Sequence, residues 1–280
     1  MIGVFDSGHG GLTVMHALTD RLPREAFTYL GDHGNAPYGR RPDEEIYDLT
    51  LAAVERLFAA NCLLVLLACN TAWAVALRRM QQDWLPSAAP DRRVLGVFVP
   101  MVEALTAVSW RDGAPVPGRL PEDGLVGVFA TQRTVNSAAY PFEIGLRAPN
   151  LRVVSQACPN LVAAIEAGEP EDKLQGLVAG YVADMLRQTE GRPPQAVVLG
   201  CTHYPLVAQH FAAALPAGTR VLDQPSIVAD SLLDYLARHG RFAAEPQEAG
   251  HRIFLTTGEP KKVSAFASRF FGKETSFEKA

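Results

Sequence analysis

The chain has 280 residues, 48% of them hydrophobic and 20% charged, with a formal net charge of −4. That length allows one large domain or two moderate ones, each able to bury its own core. The charge balance offers no basic stripe for a nucleic-acid backbone, no run approaches the roughly 18 apolar residues of a membrane helix, and Asp6 interrupts the first apolar run before it could serve as a secretory signal. The expectation is a cytoplasmic protein that meets neither nucleic acid nor membrane.

Strand-like runs alternate with helical patterns along the chain. Residues 2–5, 27–30, 63–67, 94–98, 125–129, 151–154, 196–199, 220–222 and 252–256 are rich in Val, Leu, Ile and Phe without strict alternation. Strands covered on both faces read this way. Among the intervening helices, 42–60 is the clearest. Pro42 suits a first turn, Asp43, Glu44 and Glu45 complement the positive end, and Ile46, Leu49, Ala53, Val54 and Leu57 form one face. Residues 171–189 and 226–239 repeat the pattern. Repeated β-α units predict an α/β fold with mostly parallel sheets flanked by helices. Residues 109–124, rich in Pro and Gly, read as a surface loop, and the segment from Ser264 to Ala280 as a tail that frays.

The chain also echoes itself. Ile2-Gly3-Val4-Phe5-Asp6-Ser7 resembles Val126-Gly127-Val128-Phe129-Ala130-Thr131. An apolar run ending in Ala68-Cys69-Asn70-Thr71-Ala72 resembles another ending in Gly200-Cys201-Thr202-His203-Tyr204-Pro205. Two similar lobes related by a pseudo-two-fold axis follow, with the active site in the cleft between them. The first lobe is expected to take residues 1–97 and 209–270 and the second 98–208, leaving 271–280 as a tail.

Ligands of α/β proteins bind beyond the carboxyl ends of the strands, where both thiols fall. One thiol on each side of a carbon suits removing a proton from one face and returning it to the other. A free thiol has a pKa of about 8.5, so ionising it at pH 7 costs roughly 2 kcal/mol. A helix N-terminus and a neighbouring His203 would offset much of that. Cys62 and Cys158, in apolar surroundings, read as small buried hydrophobes. Asp6-Ser7-Gly8-His9-Gly10-Gly11 follows the first strand, where Asp6 either caps a helix or serves an amine or thiol. The loop Gly31 to Gly39 either turns the chain or lays amides on a carboxylate, and Asn70 and Thr71 either cap a helix or hold a ligand. No lysine lies in these blocks, so pyridoxal phosphate has no anchor there, and no metal is expected.

These blocks in register resemble the glutamate racemases of the cofactor-independent aspartate/glutamate racemase superfamily. Phe5-Asp6-Ser7-Gly8, Gly31-Asp32 with Pro37-Tyr38-Gly39, the Cys69 block and the Cys201 block carry the resemblance, and Cys158-Pro159 with Glu166 and Thr257-Gly258-Glu259-Pro260 extend it. It implies interconversion of L- and D-glutamate without a cofactor, supplying D-glutamate for peptidoglycan, with a homodimer as one possible assembly. It makes Cys69 and Cys201 the paired acid and base, with Asp6 and His203 tuning them. It sets Asp6, Ser7, Tyr38, Gly39, Asn70, Thr71, Thr202 and His203 around the amino acid, with Asp32 and Glu166 in support. Racemisation of another acidic amino acid such as aspartate, or a binding protein on the same scaffold, are the alternatives. His9 and His33 depart from the family pattern, and an imidazole at either place is expected to reach a substrate's side-chain carboxylate.

Overall fold

The computed structural model, which describes residues 1–109, 124–243 and 250–280, sorts the strand-like runs into two wholly parallel sheets. They belong to two units, Met1–Val97 with Pro225–Ala280, and Phe98–Gln224.

The first unit holds β1 (Ile2–Asp6), β2 (Phe27–Gly31), β3 (Leu64–Leu67) and β4 (Arg93–Gly96). The second holds β5 (Leu125–Ala130), β6 (Arg152–Ala157), β7 (Ala196–Gly200) and β8 (Arg220–Leu222). β9 (Arg252–Thr256) and β10 (Glu278–Lys279) return to the first. The sheet orders are β10-β9-β2-β1-β3-β4 and β6-β5-β7-β8. The internal echo is therefore topological: β2-β1-β3-β4 and β6-β5-β7-β8 are the same four-strand plan. In each, the chain moves from the first strand to one side and then crosses to the other, creating a switch point between β1 and β3 and between β5 and β7.

β1 and β3 are buried along their whole length because helices cover both faces. The helix Asp43–Ala59 buries Ile46, Ala53, Val54, Leu57 and Phe58, and its Leu57 fills the space over Gly3. Each larger apolar side chain buried there contributes about 2 kcal/mol. Leu49, expected on this face, packs at its margin.

Three sequence expectations change. The strand expected over 94–98 stops at Gly96, and Phe98 opens the helix Phe98–Thr106. Pro100 lies in its first turn, where the missing N–H has no partner to lose. Residues 209–224 belong to the second unit, not the first. The helix Ala208–Ala214 packs on Glu171–Gln188, and β8 pairs with β7 from Arg220 to Leu222. The tail does not fray. The helix Pro260–Phe271 buries Val263, Ala267, Phe270 and Phe271, and beyond it Phe277 is buried before β10 pairs with β9. An aromatic face at helical spacing outweighs the charged composition. Most of the expected surface loop, residues 110–123, lies outside the described residues. Among those described, no helix is long and apolar enough to cross a membrane.

Candidate active site

Cys69 lies at the switch point of the first sheet. β3 ends at Leu67, and the Ala68 N–H donates to Phe5 O at 2.8 Å, which pins the turn to β1. Cys69 then caps the short helix Asn70–Ala72, its sulfur accepting the Ala72 N–H at 3.5 Å. The cap is thus the thiol itself, where Asn70 and Thr71 were the candidates. A sulfur held at a helix N-terminus faces the positive end of the backbone dipoles, which favours its anion. The helix continues with widened i→i+5 bonding over Trp73–Leu77 and Met80–Trp84. Such widening accommodates a packing demand inside a helix. Here the Trp73 ring occupies the space above Gly96, where a Cβ would lie 1.8 Å from it.

Ser7, at the end of β1, brings its hydroxyl 3.2 Å from the Cys69 sulfur. Asp6 Oδ2 accepts the Gly8 N–H at 2.9 Å and so folds the turn. Its carboxyl also lies against Gly11, the first residue of the helix Gly11–Arg21, where a Cβ would meet Asp6 Cγ at 2.8 Å. Tyr29, in the middle of β2, donates its hydroxyl to Gly8 O at 2.7 Å. Burial, then the charges of Asp6 and Cys69, push that hydroxyl well above its ordinary pKa. It therefore stays a donor. Nothing in the sequence singled out Tyr29, because a tyrosine in a strand reads as core.

Asp32, beyond β2, is a buried hub. Tyr38 donates to Oδ2 at 2.6 Å, Thr257 Oγ1 donates to Oδ1 at 2.6 Å, and Asn35 Nδ2 donates at 3.0 Å. Burial, followed by the Asp32 charge, pushes the Tyr38 hydroxyl up. The hub fixes the tight turn Tyr38–Arg40, which carries Gly39. Thr257 and Asn35, which the sequence reading placed in motifs without a role, are further members.

His9 and His33 lie together against the C-terminal segment. Their rings meet edge to face at 4.2 Å, and His9 stacks on Phe270 at 5.4 Å with Nε2 3.3 Å from Val263 O. His33 Nδ1 lies 2.9 Å from Thr256 Oγ1 and 3.0 Å from Gly31 O. These contacts pack both imidazoles against the C-terminal helix and β9.

In the second unit, Cys201 follows β7 at the equivalent place. His203 Nδ1 stands 3.9 Å from its sulfur, and His203 Nε2 lies 2.9 Å from Glu166 Oε1 on the helix Leu161–Ala167. Burial opposes a charged His203. Hydrogen bonds to Cys201 and Glu166, and their negative charges, outweigh it and raise the imidazole to about 10. An imidazolium there donates to both neighbours. Thr202 is buried beside Cys201. Cys158, after β6, is also buried, and burial pushes its thiol up. Cys62 is raised by burial too. Both behave as the inert core thiols expected.

The structure thus gathers Asp6, Ser7, Cys69, Asn70 and Thr71 at one switch point, with Asp32, Tyr38 and Gly39 in the neighbouring loop. It gathers Glu166, Cys201, Thr202 and His203 at the other. Among the described residues, no group of three or more His, Cys, Asp or Glu side chains has metal-holding geometry.

Two parallel sheets of one topology, each with a buried thiol beside its switch point, define an α/β protein with a cysteine at the carboxyl end of each sheet. No protein-family model matches the chain. It is 48% identical over 284 residues to the glutamate racemase of Phenylobacterium zucineum, covering 100% of this chain and 99% of that one. It is likewise 48% identical over 280 residues to that of Paracoccus denitrificans, with 100% and 99% covered. Among solved structures, a glutamate racemase isoform from Bacillus anthracis superposes with a TM-score of 0.84 at 29% identity, covering 100% and 97%. The Francisella tularensis glutamate racemase in complex with D-glutamate gives 0.83 at 27%, covering 100% and 96%. The chain belongs to the glutamate racemase family.

Proposed function

We propose that this chain interconverts L- and D-glutamate, with Cys69 and Cys201 acting on opposite faces of the substrate's α-carbon. The thiolate of one takes the α-proton while the thiol of the other donates a proton, so the substrate inverts and the two sulfurs exchange roles. The observation that carries the reading is the repeat itself. One four-strand plan occurs twice, and each copy ends its third strand in a thiol with a donor beside it.

Each thiol is served differently. Cys69 has a helix N-terminus and the Ser7 hydroxyl. Cys201 has the His203–Glu166 pair, which supplies a positive N–H to the sulfur. Removing an α-proton without an electron sink requires donors fixed where carbanion charge develops. Asn70, Thr71 and Thr202 are the side chains we assign to that task and to holding the amino acid, together with Ser7 and the Tyr38–Gly39 turn. Asp6 shapes the Ser7 turn, and Asp32 holds Tyr38. The product would supply D-glutamate for peptidoglycan. A homodimer and a cytoplasmic location belong to the same proposal.

Circular dichroism of L- and D-glutamate solutions follows turnover in both directions, with Cys69→Ser and Cys201→Ser as controls. Each variant is expected to lose at least about a thousandfold, the scale of removing an essential acid or base. Wild-type turnover in either variant would reject the two-thiol reading. Aspartate tested alongside decides the substrate, since the shorter chain is expected to turn over poorly, and sedimentation decides the assembly.

A further inference from the structure

The second unit begins at Phe98 and ends at Gln224. Both ends meet one side chain. The Phe98 ring stacks on Tyr140 with centroids 3.9 Å apart and planes at 21°. Gln224 is fully buried, and its Nε2 points at the Tyr140 hydroxyl from 3.5 Å. A buried amide is costly unless hydrogen-bonded, so this contact is one the core retains against an apolar alternative. Tyr140 itself lies over Gly200. A Cβ on Gly200 would stand 2.9 Å from Tyr140 Cε2 and 3.3 Å from its hydroxyl. Gly200 is the residue immediately before Cys201. Burial pushes the Tyr140 hydroxyl up, the Gln224 amide opposes this, and the Cys201 charge adds to it, which places ring and sulfur within electrostatic reach.

We propose that Tyr140 is a positioning residue for Cys201, through which the two ends of the second unit, Phe98 and Gln224, set the placement of the Gly200–Cys201 peptide. The ring is the floor on which that peptide rests, and it has two clamps. A shift of either end tilts the ring, and the absence of a side chain on Gly200 leaves no cushion between ring and backbone. Tyr140 touches no reacting atom in this account. Its kinetic consequence rests on the reading of Cys201 as a working thiol, whereas the coupling is read on the sulfur directly.

The test is alkylation of the full chain by iodoacetamide near neutral pH, with each cysteine quantified by peptide mass spectrometry and Cys69 as internal reference. Tyr140→Leu and Gly200→Ala are expected to change the Cys201-to-Cys69 rate ratio by at least about fivefold, because thiol reactivity follows its immediate surroundings. Tyr140→Phe keeps the ring on Gly200 but releases the Gln224 clamp, so it is expected to move the ratio in the same direction as Gln224→Met and by less than Tyr140→Leu. Turnover should follow, kcat falling by about tenfold or more in Tyr140→Leu while KM stays within about threefold. Should Tyr140→Leu fail to fold, Phe98→Leu and Gln224→Met leave Tyr140 in place and are expected to move the same ratio in the same direction. An unchanged ratio in these variants, or equal changes at Cys69 and Cys201, would overturn the proposal. If Cys201→Ser proved active, the two-thiol reading would fall, and the alkylation ratio would still decide the coupling.

Discussion

At Cys69 a hydroxyl lies 3.2 Å from the sulfur, and at Cys201 an imidazole backed by a carboxylate lies 3.9 Å from it. That difference predicts unequal sensitivity. Ser7→Ala removes the 3.2 Å contact to Cys69 and leaves the second unit untouched. It is expected to lower kcat by about tenfold to a hundredfold, the range for one positioned hydrogen-bonding group. Iodoacetamide labelling should slow or quicken at Cys69 alone, and equal change at Cys201 would refute the assignment. Glu166→Gln acts on the other side. Without that carboxylate, His203 loses one of the two negative partners that hold it near 10, so its pKa must fall. Titrating the His203 ring proton by NMR measures the drop. No movement would mean that Cys201 alone sustains the charge. The two cysteines were legible in the sequence because each ends an apolar run and is followed by polar residues. Tyr29, Thr257 and Tyr140 were not. Their hydroxyls matter only because the sheet register and the helix packing carry them to Gly8, Asp32 and Gly200, and no local pattern encodes that.

Among the elements, the last segment shows how composition misleads. Lys273, Glu274, Glu278 and Lys279 gave it the look of a frayed end, yet Val263, Ala267, Phe270 and Phe271 fall at helical spacing on one side. Gly272 closes the helix at φ 75°, and Phe277 then packs against Tyr29, His33 and Phe254 with ring centroids 6.0, 5.7 and 5.6 Å away. The spacing was available as a signal, but the aromatic cluster that Phe277 joins was not, since its members come from distant strands. Because Tyr29 also holds Gly8, this cluster supports the Ser7 turn from behind. Phe277→Ala is expected to destabilise the protein by about 3 kcal/mol, the usual loss for a buried phenylalanine. Urea denaturation measures it. A loss below about 1 kcal/mol would show that the tail is dispensable. The strand order was inferable only in outline, as repeated β-α units. Which strand lies beside which depends on crossovers that leave no mark on local sequence.

Over the whole molecule, the raised groups push stability the same way with pH, each from a different starting point. His203 titrates near 6.5 when unfolded and near 10 when folded. Below about 6.5 both states hold the proton and its stabilisation is complete. As pH rises through the gap, the unfolded chain releases a proton that the folded chain keeps, so stability declines, and the contribution is gone above the folded value. The buried Cys62 and Cys158 are raised as well, and unfolded thiols ionise only from about 8.5. Their loss therefore begins where much of the His203 window has passed. The interval from about pH 6.5 to 8.5 belongs to His203, with a slope of at most about 1.4 kcal/mol per pH unit for one proton. Urea midpoints at pH 6, 7 and 8 should fall for wild type and stay nearly level for His203→Asn, while Cys158→Ala should match wild type across that interval and diverge from it only at higher pH. A His203→Asn protein that kept the wild-type decline would show that some other group carries it, and that His203 is not held protonated between Cys201 and Glu166.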